Sequence, residues 1–184
     1  MATKRPETIT PSSNAPTAAK ASAGPATLPN TPVPVELQRY AGQWHEIAHL
    51  PLFFQRKCVA NITATYTLRD DGKVGVRNAC DKADGQPLVS EGVARPVPGK
   101  PGQLEVRFAP DWLAWAPMVW ADYWVIELDP DYRWAVVGGP DREHLWILSR
   151  TPAMPRADYE AIRERAAQRG YPVEKLVLPA GTVD

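Results

Sequence analysis

The side chains of this sequence that could bind a metal or act in catalysis are few and far apart. Its three histidines are His45, His49 and His144. The first two are four residues apart in a segment that reads as a β-strand, where this separation places side chains about 13 Å apart. We therefore expect no metal site. The sequence also has no phosphate-binding loop, nucleophile elbow or Cys/His metal spacing, so no catalytic residue is predicted.

The two cysteines, Cys58 and Cys80, flank a predicted hairpin whose turn spans residues 69–73. Each cysteine is an even number of positions from the apolar residues of its own strand, so both side chains are expected on one side of the sheet. A disulfide is feasible, although direct pairing would place Cys58 opposite residue 84, so the bond requires a bulge or an irregular strand end. Two buried free thiols are the alternative. A nucleophilic cysteine is disfavoured because no histidine is near either one in sequence.

Composition separates a short N-terminal segment from the part of the chain that folds. None of the 7 Trp, 6 Tyr and 3 Phe residues precedes Tyr40, whereas 7 of the 20 prolines lie within the first 34 of the 184 residues. We expect residues 1–34 to form a disordered tether rich in Pro and Ala, because they have too few large apolar side chains to offset the entropy lost on ordering. Residues 35–184 are expected to fold as one domain. The tether lacks the apolar core of a secretory signal.

The balance of charges argues against one class of partner. The chain has 21 Lys and Arg residues and 21 Asp and Glu residues. Without a net positive field, a nucleic-acid partner is not expected. The sequence also lacks an uninterrupted apolar run long enough to predict a membrane-spanning helix.

Short apolar segments separated by turn sequences predict eight β-strands. Because each segment follows the last through a turn rich in Gly, Pro or Asp, we expect an antiparallel meander that closes into an up-and-down barrel. One helix over residues 156–169, with Tyr159, Ile162 and Ala166 on one stripe, is expected to pack outside the barrel before a short strand over 173–178. The eight predicted strands span residues 42–50, 59–68, 73–80, 88–96, 103–109, 119–128, 132–138 and 144–150.

Three motifs resemble those of the lipocalin family and occur in the family's order over residues 36–179. They are Gly42-Gln43-Trp44 in the first strand, Asp131-Tyr132 in the turn between strands six and seven, and Arg150 directly after the segment Leu145-Trp146-Ile147-Leu148-Ser149. The segments 64–72 and 139–152 resemble more narrowly the bacterial branch, which is related to apolipoprotein D. The resemblance implies an all-β fold with an eight-stranded antiparallel barrel and one C-terminal helix.

The resemblance also implies a structural role for the motif residues. Trp44 is expected to plug the closed end of the barrel, with Arg150 over its indole and Gly42 allowing the backbone to pass close beneath. Glu46 shares the strand side of Trp44, where an unpaired carboxylate is costly, so we expect it to be bonded within the protein. Together with their parity, the resemblance predicts that Cys58 and Cys80 form a disulfide.

A barrel of eight strands has room for one small ligand, and the loops that contact a ligand are expected at its open end. The expected occupant is a hydrophobic or amphiphilic molecule such as a fatty acid or lysophospholipid, without a cofactor. Lys57 and Arg56 are expected to be solvated charges rather than head-group contacts. The predicted ligand contacts are mouth-loop residues Phe53, Phe54, Trp112 and Trp115 and wall residues Tyr66, Val76, Tyr123 and Trp146.

The resemblance places the protein in the periplasm or on the periplasmic face of the outer membrane, with the apolar mouth loops available for peripheral membrane contact. Two other functions stay open at this point. The aromatic residues of the mouth loops would also serve a protein-partner binder or inhibitor. A cavity enzyme of the isomerase type is the second alternative, and a homodimer is a further possibility.

Overall fold

The computed structural model describes residues 25–51, 57–108 and 120–184. In these residues eight antiparallel strands form a closed barrel, each paired with the next and the last with the first. This confirms the predicted up-and-down barrel. The strands are Gly42–His49 (β1), Ala60–Leu68 (β2), Val74–Asp81 (β3), Pro87–Pro96 (β4), Gln103–Arg107 (β5), Ala121–Leu128 (β6), Trp134–Gly138 (β7) and Trp146–Ser149 (β8).

In the part of the chain that the structure describes, two α-helices accompany the barrel: a single turn, Leu37–Tyr40 (α1), before β1, and Arg156–Gln168 (α2) after β8. The predicted apolar stripe of α2 is buried, with Tyr159, Ile162 and Ala166 exposing 3%, 1% and 1% of their surfaces. It packs in a cluster with Ile147 of β8, on the outer face of the sheet. Strand alternation points one set of side chains into the barrel and the other set outward. The outward apolar side chains form the surface against which α2 packs.

The predicted strand over residues 173–178 is wrong. A 3-10 helix, Val173–Lys175, occupies its first half, and its strand-like pairing is limited to an isolated antiparallel bridge between Val177 and His49. Pro172 and Pro179 bracket the segment, and neither can donate a backbone hydrogen bond to a ladder. Val173 and Leu176 pack, partly buried, against the cluster that holds α2, whereas Val177 and Leu178 are each 41% exposed, so the segment is not a ninth strand.

The last part of the expected tether, residues 25–34, lies along the outside of the barrel. The N–H groups of Thr27 and Leu28 donate to the carbonyl of Gln168 at 2.8 and 2.9 Å, and the N–H of Val33 donates to the carbonyl of Val125 at 2.8 Å. Tyr171 donates to the side chain of Asn30 at 2.8 Å. The boundary between a tether and a barrel at residue 34 stays a prediction.

The cysteines form the predicted disulfide, with Cα atoms 5.5 Å apart. A break in strand register makes this possible, as the sequence required. Ala60 pairs with Asp81, but Thr63 pairs with Ala79, so the β2–β3 ladder shifts between them. Asn61 in the shifted stretch has a positive φ of 50°, and its amide donates to the Asp81 carboxylate at 2.6 Å.

The closed end of the barrel is built around Trp44, which is fully buried. Its indole N–H donates to the carbonyl of Tyr40 at 2.8 Å, and the guanidinium carbon of Arg150 lies 3.8 Å from the ring centroid. Arg150 also donates to the carbonyl oxygens of Gln43 at 3.0 Å and Arg39 at 2.7 Å. One side chain thus covers the indole and satisfies backbone acceptors at the start of β1.

Backbone geometry at the closed end explains two of the motif residues. Gly42 has φ +100°, and a Cβ built there would lie 3.3 Å from Nη1 of Arg150, so a larger residue would be strained and crowded. Tyr132 also has a positive φ, 57°. Its hydroxyl accepts from the N–H of Glu36 at 3.0 Å, and the Arg39 guanidinium lies 4.1 Å from its ring. These contacts tie the β6–β7 turn to the segment before β1.

Removing the disulfide tests its energetic role. The double substitution Cys58→Ala/Cys80→Ala opens a loop with a sequence separation of 22 residues. We expect the free energy of unfolding to fall by about 3 kcal/mol in urea denaturation, because the unfolded chain regains conformational entropy. Val89→Ala, at a 45%-exposed position, is the control and should change stability little. Two titratable thiols in unreduced, denatured protein would contradict the disulfide itself.

Replacing the tryptophan at the closed end tests the plug. Trp44→Ala should lower the free energy of unfolding by about 3–5 kcal/mol, as expected for a large aromatic deletion from a packed core. Phe108→Ala is the comparison, since Phe108 is 42% exposed at the opposite end of the barrel. Thermal and urea unfolding measure both variants. Equal losses in the two variants would mean that the closed end contributes no special stability.

Candidate functional site

The inward faces of the strands enclose a cavity of about 1010 Å³. This volume is at the upper end of the range usual for small-molecule sites, and most of the wall is apolar. Trp44 and α1 close one end, whereas the other end, called the mouth here, is where β1, β3, β5 and β7 end. Apolar wall residues include Ile62, Val74, Val76, Leu104 and Leu148.

The structure brings together on the wall the four residues that the sequence predicted there: Tyr66, Val76, Tyr123 and Trp146. Lys57, expected to be a solvated charge, also lines the cavity, and it is an exposed residue. The predicted mouth-loop contacts Phe53, Phe54, Trp112 and Trp115, together with Arg56, lie outside the described residues.

The floor of the cavity, next to Trp44, has three tyrosine hydroxyl groups. The hydroxyl of Tyr123 lies 2.7 Å from that of Tyr40 and 2.8 Å from that of Tyr66. The Tyr40 ring centroid is 5.0 Å from that of Trp44. Burial raises the pKa of Tyr66 to about 12, and burial, followed by mutual repulsion among the phenols, raises the pKa of Tyr40 and of Tyr123 well above the usual value. All three are therefore neutral phenols at physiological pH.

We call these three residues, Tyr40, Tyr66 and Tyr123, the tyrosine cluster. Sequence reasoning made Tyr66 and Tyr123 candidates for the wall, from an apolar parity set or a mid-strand aromatic position, but missed Tyr40, which precedes the first strand and is covered by no alternation. The signal that was available is its position four residues before Trp44.

A buried acid–base pair lies above the floor on β1. The Glu46 carboxylate contacts Nδ1 of His49, and the two residues expose only 7% and 6% of their surfaces. Glu46 lines the cavity, and its charge raises the pKa of Tyr66 further. Positions three apart in a regular strand face opposite sides, but the register between β1 and β8 shifts between Glu46 and Ala48. The bulge therefore supplies Glu46 with the internal partner that its burial requires.

Aromatic and cationic groups meet near the mouth. Arg107, only 5% exposed, and Trp120 both line the cavity. The guanidinium carbons of Arg95 and Arg107 lie 3.8 and 4.9 Å from the Trp120 ring centroid. Arg95 also pairs with Glu105 at 2.7 Å. Sequence reasoning missed Arg107 because it shares strand parity with Glu105. It is also the last residue of β5, where alternation no longer fixes the direction of a side chain.

Two kinds of feature are absent from the described residues. No group of three or more His, Cys, Asp or Glu side chains among them is arranged to hold a metal ion. None of their helices is both long and apolar enough to cross a membrane.

Comparison with known proteins links the barrel and its closed end to one family. A lipocalin-like domain matches residues 35–180. The chain is 41% identical over 145 residues to temperature-induced lipocalin-1 of Arabidopsis thaliana, covering 77% of each protein. It is 37% identical over 143 residues to the outer membrane lipoprotein Blc of Escherichia coli K12, again covering 77% of each. Apolipoprotein D of Bos taurus is 30% identical over 151 residues, covering 78% of this chain and 75% of that protein.

A solved structure has the same fold at lower sequence identity. Insecticyanin from the tobacco hornworm Manduca sexta aligns with a TM-score of 0.62 and 24% identity, covering 81% of this chain and 82% of insecticyanin. The domain match spans most of the chain, and the three relatives are 41%, 37% and 30% identical to it over the aligned residues. The chain therefore belongs to the lipocalin-like family, in a group that includes bacterial outer membrane lipoproteins and apolipoprotein D.

Proposed function

We propose that this barrel binds one amphiphilic lipid, a fatty acid or a lysophospholipid, and stores or transfers it in the bacterial envelope. The observation that carries the proposal is the cavity of about 1010 Å³, apolar over most of its wall and closed at one end by Trp44. A long cavity of this kind suits an acyl chain that enters first and leaves its polar head at the mouth.

Burial of the chain provides enough free energy for useful affinity. Each methylene transferred from water to an apolar wall contributes about 0.8 kcal/mol, so ten contribute about 8 kcal/mol before the costs of association and ordering. Micromolar or tighter binding is consistent with these values. Affinity should therefore depend first on how many methylenes the cavity accepts.

Charged and aromatic residues at the mouth suit the polar head. Arg107 lies on the wall there, beside Trp120, and Lys57 is close to the same opening. A carboxylate or phosphate held near Arg107 would gain a charge-assisted hydrogen bond. In this proposal Phe53, Phe54, Trp112 and Trp115 contact the lipid during entry or touch a membrane surface.

The location in the envelope rests on the relatives and on the disulfide. Several relatives are named outer membrane lipoproteins. The Cys58–Cys80 bond is typical of an oxidising compartment such as the periplasm.

A chain-length series tests the proposal. Saturated fatty acids and lysophosphatidylcholines of increasing length are titrated into the full chain, with tryptophan emission and displacement of a fluorescent fatty-acid probe as the readouts. Affinity should rise by about 3- to 4-fold per added methylene until the cavity is full and then stop rising. Trp146 and Trp120 line the cavity, so their emission should change. Absence of both signals, with a protein partner bound instead, would favour the inhibitor alternative.

A substitution that fills space near the floor tests how far the acyl chain reaches into the cavity. Ala64 is on the wall of β2 and pairs with Trp44 of β1, close to the floor. Ala64→Phe should shorten the space for the tail, so the affinity plateau moves to shorter chains. Thr67→Phe is the matched control, because Thr67 is an exposed residue of the same strand and does not line the cavity. If both variants keep the original plateau, the acyl chain does not reach the floor.

A further inference from the structure

The tyrosine cluster gives the floor of the cavity a property that a purely apolar floor lacks. The three hydroxyl groups of Tyr40, Tyr66 and Tyr123 have three hydrogens between them, because all three phenols are neutral. Only two hydroxyl–hydroxyl contacts join them, at 2.7 and 2.8 Å, and each contact uses one hydrogen. Whichever way the hydroxyls are turned, one hydrogen is left over.

No other protein group takes up this remaining hydrogen among the described residues. The hydrogen bonds of the three hydroxyl oxygens there are those between the phenols themselves. All three residues line the cavity, so the spare donor is available to whatever occupies the floor. The floor therefore presents one net hydrogen-bond donor, surrounded by apolar side chains such as Val74, Val76 and Leu104.

An ordinary acyl chain does not match this donor. Its terminal methyl group has no acceptor, so a chain that fills the cavity would cover the donor and leave it unsatisfied. A buried donor without a partner costs binding free energy, whereas an oxygen acceptor at the same place forms a hydrogen bond in surroundings of low polarity. The floor thus favours an acyl chain with a hydrogen-bond acceptor at its buried end over a chain that ends in a methyl group.

We propose that the preferred ligand of this cavity is an oxygenated acyl chain, with a carbonyl or similar acceptor oxygen near the end that reaches the tyrosine cluster. The proposal rests on the proposed function, because it takes an acyl chain to enter the cavity tail first, and it specifies the class of chain. The polar head remains at the mouth, so the ligand is polar at both ends and apolar between them.

Two ligands of equal chain length test this selectivity. Octadecanoic acid and 17-oxooctadecanoic acid are compared by displacement of a fluorescent fatty-acid probe from the full chain and by titration calorimetry. We expect the oxo acid to bind about 3- to 10-fold more tightly, the range that one net hydrogen bond provides. A 9-oxo isomer, with its oxygen far from the floor, is the matched control and should bind more weakly than the 17-oxo acid.

Substitutions in the cluster make the test specific. Tyr66→Phe removes one hydroxyl and one internal hydrogen bond, so one spare donor remains on the Tyr40–Tyr123 pair and the preference should persist. The triple variant Tyr40→Phe/Tyr66→Phe/Tyr123→Phe removes every donor while keeping the ring shapes. It should reverse the preference, so that octadecanoic acid binds more tightly than the oxo acid. Replacing all partners of a buried network by apolar groups of the same shape costs little stability, and thermal unfolding checks this.

The outcomes separate this inference from the proposed function. If both acids bind the native protein with equal affinity, or the unsubstituted acid binds more tightly, the proposed selectivity is wrong while lipid binding stands. The same conclusion follows if the triple variant keeps the preference for the oxo acid. If neither acid displaces the probe or produces heat, lipid binding itself is wrong, and the selectivity with it.

Discussion

The packing of Arg150 on Trp44 is the contact on which the rest of the barrel depends. A closed barrel must join its first and last strands, and Arg150 follows β8 directly while Trp44 lies in β1. Its guanidinium also reaches the carbonyl oxygens of residues 39, 40, 43 and 132. One side chain thereby holds the start of β1, the end of β8 and the β6–β7 turn in a fixed arrangement. The closed end is rigid for this reason, and the opposite end is left to receive a ligand.

Departures from regular strand geometry produce the less expected features of the molecule. The shift in β1–β8 register brings Glu46 and His49 together, and the shift in β2–β3 register allows Cys58 to reach Cys80. Each bulge resolves a local conflict. A buried carboxylate obtains a partner in the first, and two cysteines that do not pair directly obtain a short Cα separation in the second. Both lie on the half of β1 and β2 that approaches the mouth.

The sequence was sufficient to predict the barrel because alternation and turn composition are local signals, repeated eight times. Parity also grouped Tyr66 and Val76 with the apolar residues of their strands, which made them candidates for the cavity wall, although parity alone does not say which face of a strand is inward. Sequence reasoning failed where direction depends on neighbours that are distant in sequence. Arg107 turns to the cavity at the end of its strand, and Tyr40 joins the hydroxyls of Tyr66 and Tyr123 only because α1 lies across the barrel's end. The segment before Pro179 looked like a strand because it is rich in Val and Leu, but only Val173 and Leu176 pack against the protein, and no ladder forms beyond the bridge between Val177 and His49.

Residues 25–34, called the strap here, are hydrogen-bonded to the rest of the protein along their length. Its beginning is held beside the mouth, where Thr27 binds Gln168 and Asn30 binds the carbonyl of Gly139. Its end reaches the closed end, where Val33 bonds Val125 and Glu36 bonds Tyr132. The strap therefore runs from the mouth side to the closed end, and its hydrogen bonds join α2, the β7–β8 connection and β6 across the outside of the barrel.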